Sequence, residues 1–573
     1  MDNHKISEIF EAIADILEFK QDNQFKIRAY RRAAASIRAM SEDINEFAKA
    51  NPLNSIPGIG KDLSEKIEEL LKTGALKSYE ELKESVPGII FDMMRIPGVG
   101  PKTAKLLYDE LKIDSVEKLK KYAKEHKLSQ LSHLKEKTEA NILKGIELLE
   151  KSSDSMLLGD ALPMAEGMVN YLKQKSPISK IDIAGSARRM KQTVKDIDIL
   201  VSSKKPQAVM HNFVNMPTTE RVLVRGDTKS SILTRQGIQV DIRVVEPASY
   251  GAALVYFTGS KEHNVRLREL AVKKKLKINE YGVYSVKGGS ASGGKKIAGK
   301  TEEEVYASVG LKYIEPELRE DRGEIGAALK NKLPKLIEIS DIRGDFHVHS
   351  NYSDGINTIE EMARFCKNLG YEYVVISDHS KSLKVAGGLS EQDLIKKNRE
   401  IDAINKKIKG FKVLKGVEVD IDSDGNLDYS DEVLKDLDVV LAAIHTGFKQ
   451  SKEVITKRIL RAMDNKHVDI ITHPTGRLLN AREPYAVDMT AVLKHAKKTG
   501  TVIEINGYPE RLDLDDINSR IASEMGVKIA LTTDSHRVEQ LLNMRFAVSV
   551  ARRAWLTQKD VLNTLSLKQI CAI

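Results

Sequence analysis

Six histidines and a set of carboxylates stand at the ends of short apolar runs in the last 232 residues of this 573-residue chain, the donor set that a cluster of metal ions needs. The runs close Phe346-His347-Val348-His349, Ile376-Ser377-Asp378-His379, Gly416-Val417-Glu418, Ala443-Ile444-His445, Ile471-Thr472-His473 and Thr533-Asp534-Ser535-His536. A seventh run, Val502-Ile503-Glu504-Ile505-Asn506, closes with Asn506. Residues two apart on a strand share a face, so His347 with His349, and Asp534 with His536, can grip one cluster. With Asp354 the candidate ligands are His347, His349, Asp354, His379, Glu418, His445, His473, Asp534 and His536, enough for three ions. A lone buried histidine is more often a satisfied core residue, but six at convergent strand ends are not explained that way. His467 and His495 fall in helical or pre-strand sequence and read as structural or surface residues. Imidazole with carboxylate suits Zn, Mn or Fe, and such a cluster activates water and clamps both oxygens of a phosphoester undergoing hydrolysis.

A second constellation lies upstream. Gly185-Ser186 follows a strand, Arg188 and Arg189 come next, and Asp196-Ile197-Asp198 opens another strand. The turn offers backbone N–H groups and a hydroxyl to a triphosphate, and Asp196 and Asp198 on one strand face can share two Mg2+ or Mn2+ ions. Asp241, in the alternating run Val240-Asp241-Ile242-Arg243, completes the carboxylate set from a neighbouring strand. An Asp-x-Asp alone is common at strand ends. Joined to Gly-Ser ten residues upstream and a third Asp, it points to two-metal nucleotidyl transfer.

The elements that must position these groups follow from periodicity. Apolar runs of four to eight residues alternating with helical sequence predict a closed parallel barrel with its active site at the C-terminal strand ends. Strand periodicity from about Ile181 predicts a mixed α/β region, and a stripe of Ile6, Ile9, Phe10, Ile13, Ile16 and Leu17 opens an all-helical one. In the helical part Ile56-Pro57-Gly58-Ile59-Gly60 recurs as Ile96-Pro97-Gly98-Val99-Gly100. Such paired turns are the helix-hairpin-helix signature: the glycines let backbone N–H groups approach a phosphate at a helix N-terminus. Gly58, Gly60, Lys61, Gly98, Gly100 and Lys102 are therefore the expected contacts to the DNA backbone. Charge agrees, because residues 342–573 carry 34 Lys+Arg against 33 Asp+Glu, leaving 57 against 49 upstream. The Gly/Ser-rich stretch between Lys287 and Lys296 reads as a flexible loop, and residues 319–341 as the linker to the barrel. Cys366 and Cys571 form no CxxC pair and no apolar run is long enough to span a membrane, so a monomer in the reducing cytoplasm is expected.

Gly185-Ser186-Ala187-Arg188-Arg189, Asp196-Ile-Asp198-Ile-Leu, Val240-Asp241-Ile-Arg243, Tyr256-Phe257-Thr258-Gly259-Ser260, Asn264, Arg268 and Asn279-Glu280-Tyr281-Gly282 resemble family X DNA polymerases. The C-terminal ligands resemble the PHP (polymerase and histidinol phosphatase) domain, and the whole order resembles bacterial and archaeal PolX enzymes. The resemblance implies a multidomain α+β and α/β architecture. Its parts are a helical domain with the first hairpin over 1–85, a second helix-hairpin-helix domain over 86–150, a nucleotidyltransferase palm over 151–250, a thumb over 251–318 and a (β/α)7 PHP barrel over 342–573. It also implies that Ser186 and Arg189 hold triphosphate oxygens, that Tyr256 and Phe257 line the sugar pocket, that Asn264 and Arg268 probe the minor-groove side of the nascent pair, and that Gly185 and Gly259 belong to the same nucleotide site. Read without it, Tyr256 and Phe257 are equally core aromatics and Arg268 equally a solvated helix residue. Lys195 departs from the family, which has Gly just before the first catalytic Asp. Lys66 matches the Schiff-base lysine of relatives that remove 5'-deoxyribose phosphate, but Asp62 stands where proficient relatives carry Lys, so that activity is expected to be weak or absent.

The expected function is template-directed filling of short gaps from dNTPs on gapped or primer-template DNA. A 3'-to-5' exonuclease using Mn2+ or Zn2+ in the barrel would accompany it, with abasic-site incision as a further implication of the resemblance. Rival readings are a barrel acting on pyrophosphate or a small phosphate ester, and a DNA-end scaffold whose polymerase site is impaired by Lys195.

Overall fold

Alternating Val, Ile and Leu in the palm segment makes a five-stranded mixed sheet, ordered Lys180–Ile183, Asp196–Ser202, Gln239–Val245, Lys229–Thr234, Thr219–Arg225. This is seen in a computed structural model describing residues 3–572 apart from 39, 41–43, 57, 97, 132, 133, 154 and 287–293. The strands Asp196–Ser202 and Gln239–Val245 run parallel, and Asp198 faces Asp241 in their register. The helices Leu158–Lys175 and Pro206–Val214 cover the sheet with buried Leu162, Val169, Val209 and Phe213.

Seven parallel strands form the C-terminal sheet in sequence order: Gly344–Val348, Tyr373–Ile376, Lys412–Asp420, Val439–Ala443, Ile470–Ile471, Val502–Asn506 and Ile529–Thr532. The first and last meet through a parallel bridge between Val348 and Ser535, with His349 N donating to Ser535 O at 2.8 Å, so the barrel is nearly closed. Every residue of the strands Tyr373–Ile376, Val439–Ala443, Val502–Asn506 and Ile529–Thr532 is buried, as expected for parallel strands covered on both faces.

The N-terminal region is helical. The hairpin turns repeat their geometry: Ile59 N bonds to Ile56 O at 3.0 Å and Val99 N to Ile96 O at 2.9 Å. Gly58 and Gly98 take φ of 85° and 91°, a conformation that costs other residues, while Gly60 and Gly100 cap the helices Lys61–Thr73 and Pro101–Leu111. Pro57 and Pro97 lie outside the described residues, as does most of the expected flexible loop.

Residues 319–341, expected as the linker, are packed against both neighbours. Arg319 is fully buried and donates to Ile314 O at 2.9 Å and Glu302 at 2.7 Å. Glu324 accepts from His263 at 2.6 Å, and Leu336 and Ile337 join the adjoining cores. Palm and barrel share one continuous apolar core. The residue pair Gly159 and Pro509 marks how tightly they meet, because a Cβ on Gly159 would lie 2.3 Å from the Pro509 ring.

Candidate active sites

The palm carboxylates gather at one edge of the sheet. Alternation along Asp196–Ser202 turns Asp196 and Asp198 to one side and buries Ile197 on the other, and Asp241 joins them from the adjacent strand. Burial pushes the Asp198 carboxyl up to about 7, with Asp196 and Asp241 adding repulsion and Arg243 and Arg189 opposing it. Asp196 is raised too, by burial and then by Asp241. Three carboxylates crowded at one strand edge, repelling one another more than the nearby Arg243, Arg189 and Lys195 offset, fit hard divalent ions such as Mg2+ or Mn2+.

Gly185 starts a single helical turn with φ of 62°, and the Ala184 N–H bonds to Asp198 O at 2.8 Å, which lays that turn over the carboxylates. Above it is a cavity of about 370 Å3, lined by Gly185, Ser186, Arg189, Asp196, Asp198, Tyr256, Phe257, Gly259, Asn264 and Arg268 among others. All eight residues expected at the nucleotide are therefore in one place. Tyr256 and Phe257 end the helix Tyr250–Thr258 and pack edge to face at 5.1 Å, and the Arg243 guanidinium lies 4.5 Å over the Phe257 ring. Asn264 Nδ2 donates to Tyr256 O at 2.8 Å. Arg189 is not loose: its Nε donates to Glu320 at 3.0 Å and its Nη1 to Thr258 O at 2.5 Å. Arg188 is bound to Glu302 at 2.6 Å and Thr258 Oγ1 at 2.7 Å, a structural clamp between palm and thumb. Lys195 is exposed, and its charge favours the ionised form of Asp196.

The barrel brings its nine expected ligands to one mouth. Among the described residues, three groups place donor atoms within 4.8 Å of one another: His349, Asp354, His379 and His536; His347, His349 and Asp534; and His379, Glu418 and His445. His473 joins through Glu418, with Nε2 at 2.8 Å from Oε1. Among the described residues His349 Nδ1 and His473 Nδ1 are buried without a hydrogen-bond partner, which fits nitrogens able to ligate a cation. Burial pushes the His349 imidazole down to about 4, with the neighbouring His536 and His379 adding to it. Burial also opposes charge on His347, yet Asp534, Glu418 and Glu504 hold it well above the ordinary histidine range. His473 and Asp534 have φ of 29° and 51°, a backbone region that side chains other than glycine occupy at a cost and that clusters at functional sites.

Sequence reasoning missed the support beneath this mouth. Glu504, fully buried, accepts from His347 Nδ1 at 2.7 Å, Thr532 Oγ1 at 2.6 Å, Thr472 Oγ1 at 2.5 Å and the His473 N–H. Asp420 accepts from His445 Nδ1 at 2.8 Å. These carboxylates fix which ring nitrogen faces the cluster. The readable signal was a single charge inside Val502-Ile503-Glu504-Ile505, since an isolated buried charge needs partners. His495 meets Asp464 at 2.8 Å, away from the mouth.

Lys66 takes a different environment from the one a Schiff base requires. Burial lowers its ammonium, but the 2.5 Å bond to Asp62 and the Tyr30 hydroxyl outweigh that and raise it. Lys61 and Lys102 are exposed at the starts of their helices, with Lys102 3.8 Å from Glu18.

Comparison with known proteins finds four family matches along the chain. Residues 1–76 match a helix-hairpin-helix domain, 90–147 a SAM-like helix-hairpin-helix tandem, 253–320 the DNA polymerase beta thumb and 345–507 the PHP domain. The DNA polymerase/3'-5' exonuclease PolX of Bacillus subtilis (strain 168) is 38% identical over 572 residues, covering 100% of this chain and 99% of that protein. A probable phosphatase of Thermoanaerobacter sp. (strain X514) is 35% identical over 231 residues, 38% of this chain and 89% of its own length. DNA polymerase lambda of Rattus norvegicus is 26% identical over 344 residues, 56% of each chain. Full-length similarity, the thumb and PHP matches, and two separate carboxylate-rich centres together place this chain in the PolX family, the family X DNA polymerases that carry a C-terminal PHP domain.

Proposed function

We propose that the chain fills short gaps in DNA by template-directed addition of dNTPs at the palm, and removes nucleotides from 3' ends at the barrel. The observation that carries the synthetic half is the pairing of Asp198 with Asp241 across parallel strands beneath a cavity lined by Ser186, Arg189, Tyr256 and Arg268. Asp196, Asp198 and Asp241 would hold divalent ions, which supply the positive charge that activates the primer hydroxyl and neutralises the departing pyrophosphate. Ser186 and the backbone of Gly185 bind triphosphate oxygens, and Arg189 adds a guanidinium on the same side. Tyr256, Phe257 and Gly259 seat the sugar, while Asn264 and Arg268 read the minor-groove edge of the new pair. Lys195, exposed beside Asp196, adds a charge where the family has glycine and leaves the carboxylates in place.

In the barrel His347, His349, Asp354, His379, Glu418, His445, His473, Asp534 and His536 would hold up to three ions, Mn2+ or Zn2+, whose chemistry is the activation of water and stabilisation of both phosphoester oxygens. Glu504 and Asp420 orient His347 and His445. The paired hairpin turns, with Gly58, Gly60, Lys61, Gly98, Gly100 and Lys102, grip DNA phosphates on either side of the gap.

The functional units follow the divisions 1–85, 86–150, 151–250, 251–318, 319–341 and 342–573. Cys366 and Cys571 are both free, which suits a cytoplasmic monomer, and among the described residues no helix is long and apolar enough to cross a membrane.

The test is incubation of the purified chain with a labelled one-nucleotide-gapped duplex and Mn2+, with and without dNTPs. Extension with dNTPs and shortening without them are expected. Binding with neither change supports the scaffold reading. Extension without shortening, with release of phosphate from a small ester, assigns the barrel to small phosphoesters.

A further inference from the structure

A ladder of alternating charges begins in the nucleotide cavity and ends in the barrel. Arg189 Nε and Arg553 Nη1 donate to the same oxygen, Glu320 Oε1, at 3.0 and 2.9 Å. Arg553 Nη2 pairs with Asp516 Oδ2 at 2.9 Å, and Arg322 Nη1 meets that oxygen at 2.8 Å. Arg553 Nη1 also reaches the backbone carbonyl of Arg189 at 2.7 Å. Arg189, Asp516 and Arg553 are buried. Asp516 opens the barrel helix Asp516–Glu524 and Arg553 closes the barrel helix Met544–Arg553, so two members belong to a domain whose nine metal donors take no part in the ladder.

The same helix end anchors more of the interface. Arg552 Nε donates to Glu317 at 2.7 Å and its Nη1 to Ile337 O at 3.0 Å. Consecutive arginines thus hold Glu317 and Glu320, at the C-terminal end of the stretch that matches the thumb, and the second reaches on into the palm. Arg189 is held at Nε by Glu320, at Nη1 by Thr258 O and at its own carbonyl by Arg553. A guanidinium is a rigid fork, so fixing two of its edges and its backbone sets where the remaining edge faces.

We propose that Arg553 is a positioning residue of the polymerase site: by holding Glu320 and the Arg189 carbonyl, the barrel sets the direction in which Arg189 meets the triphosphate of an incoming nucleotide. This rests on the nucleotidyl-transfer reading above. Without Arg553, Glu320 keeps one partner instead of two and the Arg189 carbonyl loses its donor. Arg189 then samples orientations that do not face the triphosphate. Contacts to the triphosphate are made in the ground state as well as the transition state, so the loss falls on KM for dNTP and spares kcat.

The experiment is steady-state filling of a one-nucleotide gap by full-length wild type, Arg553→Ala, Arg553→Lys, Glu320→Gln and the Arg553→Ala/Glu320→Gln double variant. Primer hydrolysis and melting temperature are measured alongside. Arg553→Ala is expected to raise KM for dNTP about tenfold, the loss of one charge-assisted contact, with kcat and hydrolysis within about twofold of wild type. Arg553→Lys, which keeps the charge without the fork, raises KM by less. The double variant is less impaired than the sum of its singles, because Arg553 acts through Glu320. Unchanged KM in a folded Arg553→Ala overturns the proposal, as does a joint fall in kcat, hydrolysis and melting temperature, which would mark a purely structural contact. If Arg553→Ala does not fold, the KM of Arg553→Lys decides. Wild type that does not extend refutes the nucleotidyl-transfer reading and this inference with it; wild type that extends while KM stays fixed in the variants refutes this inference alone.

Discussion

Gly185 and Asp198 stand so close that a methyl group on Gly185 would lie 2.3 Å from Asp198 Oδ2. Gly185 also takes φ of 62°, so alanine there meets backbone strain and a clash with a carboxylate of the palm together. Gly185→Ala is therefore expected to lower kcat/KM for gap filling by about 100-fold or more, the effect of displacing a reacting group by roughly an ångström. Barrel hydrolysis in the same variant serves as the control. Near-normal extension would show that Asp198 can turn aside without loss.

The two centres draw on different residues of one chain. His349 belongs to two of the three donor groups in the barrel and is not among the residues that line the palm cavity. His349→Ala is expected to abolish primer shortening and leave single-nucleotide extension unchanged, as read on one gel with and without dNTPs. Parallel loss of both activities would sink the two-site reading.

Glu504 holds His347 from beneath without being one of the nine donors. Glu504→Gln removes the charge but keeps the shape, and it should weaken metal affinity at the barrel by about 10- to 100-fold, the usual effect of losing such support. Titration of the metal-free chain by calorimetry reads this directly. An affinity equal to wild type would leave Glu504 as mere filling.

Glu302 couples stability to pH. Burial raises its carboxyl, but Arg188 and then Arg319 overcome this and pull it down to about 2 from the usual 4.5. A carboxyl depressed on folding contributes stability that is complete above about pH 4.5 and lost as pH falls toward 2. A shift of this size corresponds to roughly 3 kcal/mol at neutral pH. Glu302→Gln should therefore lower urea stability by about that amount at pH 7, with the gap from wild type closing below about pH 5. A gap that stays constant down to pH 3 would contradict the assignment.

Lys66 should not form a Schiff base. With its ammonium held by Asp62 at 2.5 Å, the free amine that attacks an aldehyde is scarce at neutral pH. Borohydride treatment on an incised abasic site is expected to leave Lys66 unlabelled, and a trapped adduct at that residue would overturn this.

Much of both centres was legible because the signals are local. Period-two alternation places Asp196 with Asp198 and His347 with His349, and the strand-end rule for parallel barrels gathers ligands from runs that are far apart in sequence. The Tyr256 to Arg268 cluster was legible through family resemblance, since an exposed aromatic and a helix arginine look like any others. Glu504 stood in plain view, yet the run seemed to close at Asn506, and nothing in a single strand says which neighbour a buried carboxylate will meet. Residues 319–341 looked like a charged tether because their partners, His263, Glu302 and the barrel, lie elsewhere in the chain.

By itself the sequence determined the element types and the residues that close each strand, six of the seven with candidate donors, because those depend on neighbours within a few residues. Only the tertiary structure decided that Arg189 is held by Glu320, that Arg553 reaches Arg189 from 364 residues away, and that palm and barrel share one core. Ion pairs between distant segments depend on how whole domains pack, and no local period encodes that.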